Sequence, residues 1–368
     1  MQEAIRVAAA QVSPVFMNKE GTIEKACRTI EEAGNKKVDL IVFPETFVPG
    51  YPYWRGILPI SRWSELMVEY QKNAIAIPSG DTDRLCESAR SAGTHCVVGC
   101  SEISDRPGSG TLYNTLLFID DAGRILGRHR KLMPTHGERM VWGLGDASDI
   151  DVFNTKLGRL GGLICYEHHM TLLKAAMAGK GEEIHCAVWP GWWTMDRLPG
   201  NKRRPKPGSE ALHQCDVDYA IREYAFETQT FVISVGQYIP EDTLPEECRP
   251  INIAAGGSAI VNPAGLYLAG PALEQETVLY ATLDADERRA TKAYFDAVGH
   301  YARPDLMRLR LKRISRRRFR DRELPSPELD EKLAKDLAEK YGLDPQRVPE
   351  LLREYERFFS RRVASQGY

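Results

Sequence analysis

Residues 157–179 read LGRLGGLICYEHHMTLLKAAMAG, and the fold turns on how this stretch divides. The run LGRLGGLIC is short and apolar, as a buried strand is, while HHMTLLKAAMAG carries apolar residues at helical spacing. Cys165 falls at the junction. A cysteine there is a small core hydrophobe, a metal ligand or a nucleophile. The amides and dipole of a following helix favour an anion, which suits a thiolate and equally a developing oxyanion.

The same alternation runs outward in both directions. AIRVAAAQV (4–12) and VDLIVFPE (38–45) are strand-like, and GTIEKACRTIEEAGNKK between them sets Ile23, Ala26, Cys27 and Ile30 at helical spacing, with Gly34 expected as the stop. Helices are predicted over 61–77, 81–93 and 211–228, and strands over 95–103, 112–120, 124–131, 183–190, 231–237, 256–270 and 277–287. Gly123, in the link DDAG, is expected to take the positive φ of a tight hairpin. The pattern is that of an α/β chain with mixed strand directions, without a repeat at solenoid periods. Residues 189–209 are rich in Gly, Pro and Trp and read as a loop. Residues 303–322 carry ten Lys and Arg. Beyond them Ser326 with Pro327 and Asp344 with Pro345 resemble helix starts, followed by stripes of Leu329, Leu333 and Leu337 and of Leu351, Leu352, Tyr355, Phe358 and Phe359.

Composition narrows the function. The 368 residues are 43% hydrophobic, enough for a large core. Lys and Arg total 49 against 51 Asp and Glu, a net charge of −2, so no global field points to nucleic acid or an anionic membrane. The basic run is expected to be a solvated face or a subunit contact rather than a nucleic-acid site. No stretch approaches the roughly 18 apolar residues of a membrane span, and the opening MQEAIRVAAAQVSP lacks a secretory pattern. Eight scattered cysteines without a CxxC pair fit free thiols in a reducing, cytoplasmic setting.

Two charged residues stand at strand ends. Glu45 closes LIVFPETF where water is scarce; desolvation raises such a carboxyl toward the range of a general base, although it reads equally as a structural carboxylate held by backbone amides. Lys131 follows a strand and is hemmed by Leu132, Met133 and Pro134. Buried beside a carboxylate it is a fixed charge for an oxyanion, and otherwise a surface lysine. His168, His169, His185 and Cys186 match no familiar zinc spacing, and His168 and His169 read as capping or surface groups.

Taken in order, Glu45, Lys131 and Cys165 resemble the Glu-Lys-Cys triad of the nitrilases within the carbon-nitrogen hydrolase superfamily. The words FPETFVPGYPYW, RKLMPTHGERMVWGLGD, GGLICYEHHM and DAVGHYARPDLMRL resemble that family's blocks over about residues 4–310. The resemblance implies a four-layer αββα sandwich over 1–310, with 311–368 as a basic, amphipathic helical C-terminal extension. It implies Glu45 as general base, Lys131 as oxyanion stabiliser, Cys165 as nucleophile and Glu138 as a second, positioning glutamate, with no metal or cofactor. The implied reaction converts a nitrile to the acid and ammonia through a thioimidate and an acyl-enzyme, with amide as side product. Many members read Cys-Trp-Glu at the nucleophile; here Tyr166 takes the tryptophan position. Tyr51, Trp54, Tyr166, Trp189 and Trp192 are the candidate pocket residues, each also readable as a core aromatic. A ring-lined pocket favours aryl or arylacetonitriles, and a ring-filled one small aliphatic nitriles or cyanide. The resemblance further implies a homo-oligomer, extending to spirals or filaments, with the tail crossing subunit interfaces. An amidase of the same superfamily is the nearest alternative, and a non-catalytic scaffold a more distant one.

Overall fold

Alternation sorts the strand residues into layers. In the computed structural model, which describes residues 1–56, 58–191, 216–251 and 254–311 with single positions 338, 339, 342, 344 and 347, strand β1 (Ala4–Gln11) is buried on both faces. Ile5, Val7 and Ala9 join one apolar cluster, and Ala8 and Ala10 another. The second cluster is completed by helices α1 (Lys19–Asn35) and α3 (Gly80–Ala92), through Ile23, Ala26, Ile30, Leu85 and Ala89. Between these helices lie β2 (Leu40–Val42) and α2 (Ile60–Lys72). Strands β3 (His95–Ile103), β4 (Leu112–Ile119) and β5 (Ile125–Arg130) follow.

The first cluster is filled from the opposite side by a second sheet. Its strands are β6 (Phe153–Asn154), β7 (Arg159–Ile164), β8 (Ile184–Trp189), β9 (Phe231–Gly236), β10 (Gly256–Val261) and β11 (Tyr267–Leu273). Helices α4 (Thr171–Gly179) and α5 (Asp216–Thr228) cross over between β7, β8 and β9 and contribute Leu173, Met177, Ile221 and Tyr224. Strand β12 (Thr277–Asp284) then returns to pair antiparallel with β1, and α6 (Ala285–Tyr294) is capped by Asp284. The result is a helix, sheet, sheet, helix sandwich, with orders β12-β1-β2-β3-β4-β5 and β11-β10-β9-β8-β7-β6. Each sheet has three central parallel strands, β1-β2-β3 and β7-β8-β9, flanked by antiparallel ones. The chain divides into the compact units Met1–Ile314 and Ser315–Tyr368. Of the expected tail helices, Ser326 and the leucine and aromatic stripes lie outside the described residues.

Three expectations change, the first being the strand expected over 256–270, which is two strands, β10 and β11, paired antiparallel. Gly34 does not stop α1: the helix runs through it to Asn35, and a Cβ at Gly34 would lie 2.7 Å from that of Ala92, so the glycine lets α1 and α3 touch. Helix α2 ends at Lys72 rather than near 77. Ile75 instead bonds with Ser101 and Ile103 beside β3, and Pro78 disfavours helix at Ile77. Gly123 does take a positive φ, +75°.

Strands β2, β5, β7 and β9 deliver their carboxyl ends to one region. Glu45 comes three residues after β2, Lys131 one after β5, Cys165 one after β7 and Gln237 one after β9. The turn carrying Glu45 lies directly on β3, where a Cβ at Gly99 would sit 2.0 Å from the Pro44 carbonyl oxygen. Gly99→Ala is therefore expected to push this turn off the sheet. The expected cost is about 3 kcal/mol of stability by urea unfolding, with a corresponding loss of activity; a variant as stable as the parent would contradict the contact.

Candidate active site

Glu45 is fully buried, yet its carboxylate takes no backbone amide. Oε1 accepts from Lys131 Nζ at 2.9 Å and from Asn114 Nδ2 at 2.6 Å. Oε2 is buried with no partner among the described residues. The backbone is held instead: the Glu45 carbonyl accepts from Gln237 Nε2 at 3.2 Å, and Gln237 Oε1 accepts from the Tyr53 hydroxyl at 2.8 Å. The side chain is thus fixed through one oxygen and left open at the other. Burial raises the carboxyl to about 7, against the opposing pull of Lys131.

Lys131 is clasped from both sides. Its Nζ donates to Glu138 Oε2 at 2.8 Å as well as to Glu45. Glu138 sits in a 3-10 turn (His136–Met140) that opens with a capping box, so Oε2 also accepts the Thr135 amide at 2.7 Å, while Oε1 accepts the Tyr51 hydroxyl at 2.6 Å. Burial works against the ammonium, but the charges of Cys165, Glu138 and Glu45 outweigh it and hold Lys131 well above the ordinary lysine range.

Cys165 opens a 3-10 turn (Cys165–His169) directly after β7, with φ +54°. Positive φ is strained for a side chain with a Cβ and persists where the surroundings impose it. Here Glu167 does much of that. Its Oε2 accepts the Ile164 amide at 2.9 Å and meets His129 Nε2 at 2.8 Å, while its Oε1 accepts the Leu132 amide at 2.8 Å. One buried carboxylate therefore ties the strand end before Cys165 to the residue after Lys131. Burial would raise it, but His129 and the two amides hold it below the usual range. The Cys165 sulfur and one carboxylate oxygen each from Glu45 and Glu138 lie within 4.8 Å of one another. The cation these acidic groups share is the Lys131 ammonium. Burial pushes the Cys165 thiol well up, with Lys131 opposing.

The sequence candidates separate around this centre. Glu45, Lys131, Glu138 and Cys165 come together, and Tyr51 touches them through Glu138. Tyr166 is half-buried, its ring 5.0 Å from that of His169. Trp54 packs edge-on against Tyr70, and Trp189 stacks on His168 while its indole N–H donates to Ser234; both are core rings. Trp192 lies outside the described residues. His169 is exposed, whereas His168 is not a surface group: it is buried, and its ring turns inward to bond the Cys165 carbonyl. Asn114, Gln237, Tyr53, His129 and Glu167 were not singled out from sequence. The available signals were a polar residue inside the run LYNTLLFID, a glutamine closing FVISVGQ, and the glutamate two places after the cysteine.

The unfolded chain releases the Glu45 proton near 4.5, and the folded chain holds it to about 7. Between these values the folded state binds more protons, so stability falls as pH rises. Glu45→Gln has no proton to lose and is expected to gain on the parent from pH 5 to pH 7.5 in urea unfolding. A difference independent of pH would show that the carboxyl is not raised.

Comparison with known proteins agrees with this arrangement of strands. The carbon-nitrogen hydrolase family profile matches residues 6–293. A protein named nitrilase 2, from an unknown prokaryotic organism, is 37% identical over 323 residues, which is 86% of this chain and 96% of that protein. The bifunctional nitrilase/nitrile hydratase NIT4B of Nicotiana tabacum is 37% identical over 321 residues, 83% of this chain and 85% of that one. The crystal structure of a carbon-nitrogen hydrolase from Helicobacter pylori G27 superposes with a TM-score of 0.64 at 19% identity, covering 82% of this chain and 96% of that one, and so shares the fold. With the profile, the full-length relatives and the sandwich all in accord, the chain belongs to the carbon-nitrogen hydrolase family and groups with its nitrilases.

Proposed function

We propose that the protein is a nitrilase, hydrolysing a nitrile to the carboxylic acid and ammonia through a covalent intermediate on Cys165. The observation that carries this reading is the buried Lys131 ammonium clasped between Glu45 and Glu138, with the Cys165 sulfur beside them and one Glu45 oxygen unoccupied. Sulfur adds to the nitrile carbon as its proton passes through Glu45 to the nitrile nitrogen, giving a thioimidate. Glu45 then takes a proton from water, which adds to the same carbon. Loss of ammonia leaves a thioester, and a second water releases the acid and restores the thiol. When the thiol leaves in place of ammonia, the product is the amide. Lys131 supplies a fixed positive charge at the tetrahedral stages, worth most where water is excluded. Glu138 holds Lys131, and Tyr51 holds Glu138.

Ammonia release from phenylacetonitrile, benzonitrile, a short aliphatic dinitrile and cyanide, beside the matching amides, tests the reading and sizes the pocket. Nitriles are expected to yield ammonia, with Cys165→Ala, Glu45→Gln and Lys131→Met each reduced by about a thousandfold or more. Ammonia from the amides alone moves the protein to the amidase reading, and activity that survives Cys165→Ala removes the covalent route.

The outer helix layer supports a homo-oligomer. Leu172 on α4 and Phe226 on α5 are 72% and 52% exposed, and a groove of about 520 Å³ on the same two helices is lined in part by Ala175, Thr228, Val298, Tyr301 and Met307. Apolar side chains clustered on one face mark an interaction surface. Leu172→Glu with Phe226→Glu is expected to reduce assembly size by light scattering, and unchanged assembly would place the interface elsewhere. Among the described residues no helix is long and apolar enough to cross a membrane, and the seven described cysteines are free, in keeping with a reducing compartment.

A further inference from the structure

Behind Cys165, between the second sheet and its helices, runs a buried chain of polar groups that the proposed mechanism does not use. His168 Nδ1 lies 2.6 Å from the Cys165 carbonyl oxygen. His168 Nε2 lies 2.9 Å from His185 Nε2, and His185 Nδ1 lies 2.8 Å from Glu182 Oε1. Glu182 Oε2 accepts the Tyr224 hydroxyl at 2.6 Å. All four side chains are buried, and the rings are locked by stacking, His185 on Tyr224 at 3.8 Å and His168 on Trp189 at 4.7 Å. The sheet makes room for the acid: a Cβ at Gly161 would sit 2.0 Å from Glu182 Oε1.

Counting protons orients this chain. A carbonyl only accepts, so His168 Nδ1 carries hydrogen. One proton must lie between the two Nε2 atoms and one between His185 Nδ1 and Glu182. Three protons are needed and two neutral imidazoles hold two, so the third balances the Glu182 charge and the chain is neutral as a whole. Burial and the neighbouring His185 disfavour a charge on His168.

We propose that Glu182, His185 and His168 form a relay of positioning residues that holds the Cys165 carbonyl on the helix side of the sheet, and with it the conformation of the nucleophile. This rests on the nitrilase reading of Cys165. The relay thereby stabilises the conformation with φ +54° at Cys165 that sets its sulfur beside Glu45 and Glu138.

The test uses two pairs of variants of the full chain. His168→Leu removes the donor, whereas His168→Asn returns an amide N–H to the Nδ1 position. Glu182→Leu leaves His185 Nδ1 without a partner, whereas Glu182→Gln can donate to it and still accept from Tyr224, which satisfies every bond without the extra proton. The leucine variants are expected to lose about a hundredfold in kcat with KM within about twofold, and Asn and Gln to restore at least about tenfold of that loss. The alkylation rate of the Cys165 peptide by iodoacetamide, followed by mass spectrometry, is expected to keep the same order. Because alkylation needs no turnover, it reads the relay even if nitriles prove not to be substrates, which separates failure of the relay from failure of the nitrilase reading. Leucine variants that fold and react like the parent overturn the proposal, as does Glu182→Gln falling as far as Glu182→Leu. If the leucine variants do not fold, His168→Asn is compared with His168→Gln, whose amide reaches only the Nε2 position. Asn must then exceed Gln at least about tenfold in alkylation, and equality overturns the proposal.

Discussion

The buried ammonium of Lys131 is the constraint on which the site depends. An isolated charge in this interior is very costly, and a pair recovers the cost only with close geometry on both partners. Glu45 and Glu138 provide that geometry from two different loops, and Asn114, Thr135 and Tyr51 satisfy the remaining carboxylate positions save one. Removing any member leaves a buried charge without its partner. The strand ends that deliver these residues are therefore held in register by electrostatics as much as by packing.

Strain gathers at the same place. Thr46 beside Glu45, His136 two residues before Glu138, and Cys165 itself all hold positive φ. Each allows a chain leaving a strand or entering a turn to bend sharply enough to aim a side chain inward, and each persists because its neighbours are fixed. Glu167 is the main fastener, since its two oxygens join the Cys165 and Lys131 segments across the sandwich. Burial raises both the Glu45 carboxyl and the Cys165 thiol. Desolvation thus disfavours the charged form of both groups, a shift set by environment rather than residue type.

The two sheets supply the centre in complementary ways. The first, with parallel strands β1, β2 and β3, brings Glu45 and, through β5, Lys131; the second, with β7, β8 and β9, brings Cys165 and Gln237. Functional groups gather where the carboxyl ends of parallel strands open, and here two sets of such ends face one another. Side chains on opposite layers can then approach within a few ångströms while each keeps a strand behind it.

Local chemistry settled much of this in advance. Apolar runs of strand length, buried on both faces, specify a layered α/β fold. Asp-Ala-Gly at 121–123 specifies a tight turn because glycine accepts positive φ. A charged residue or cysteine at the end of such a run, as at Glu45, Lys131 and Cys165, marks a polar group that the fold must satisfy. What periodicity gives is the face a residue takes, not the atom it meets there. Gly34 looked like a helix stop and is a contact with Ala92; His168 looked like a capping or surface group and is buried against the Cys165 carbonyl; Asn114 and Glu182 carried no sign of the side chains they meet. Those partners stand 69 residues from Asn114 and 3 and 42 residues from Glu182. Only packing the two sheets and their helices together decides such pairings, because a buried polar group must find its bond wherever the tertiary fold brings a matching atom.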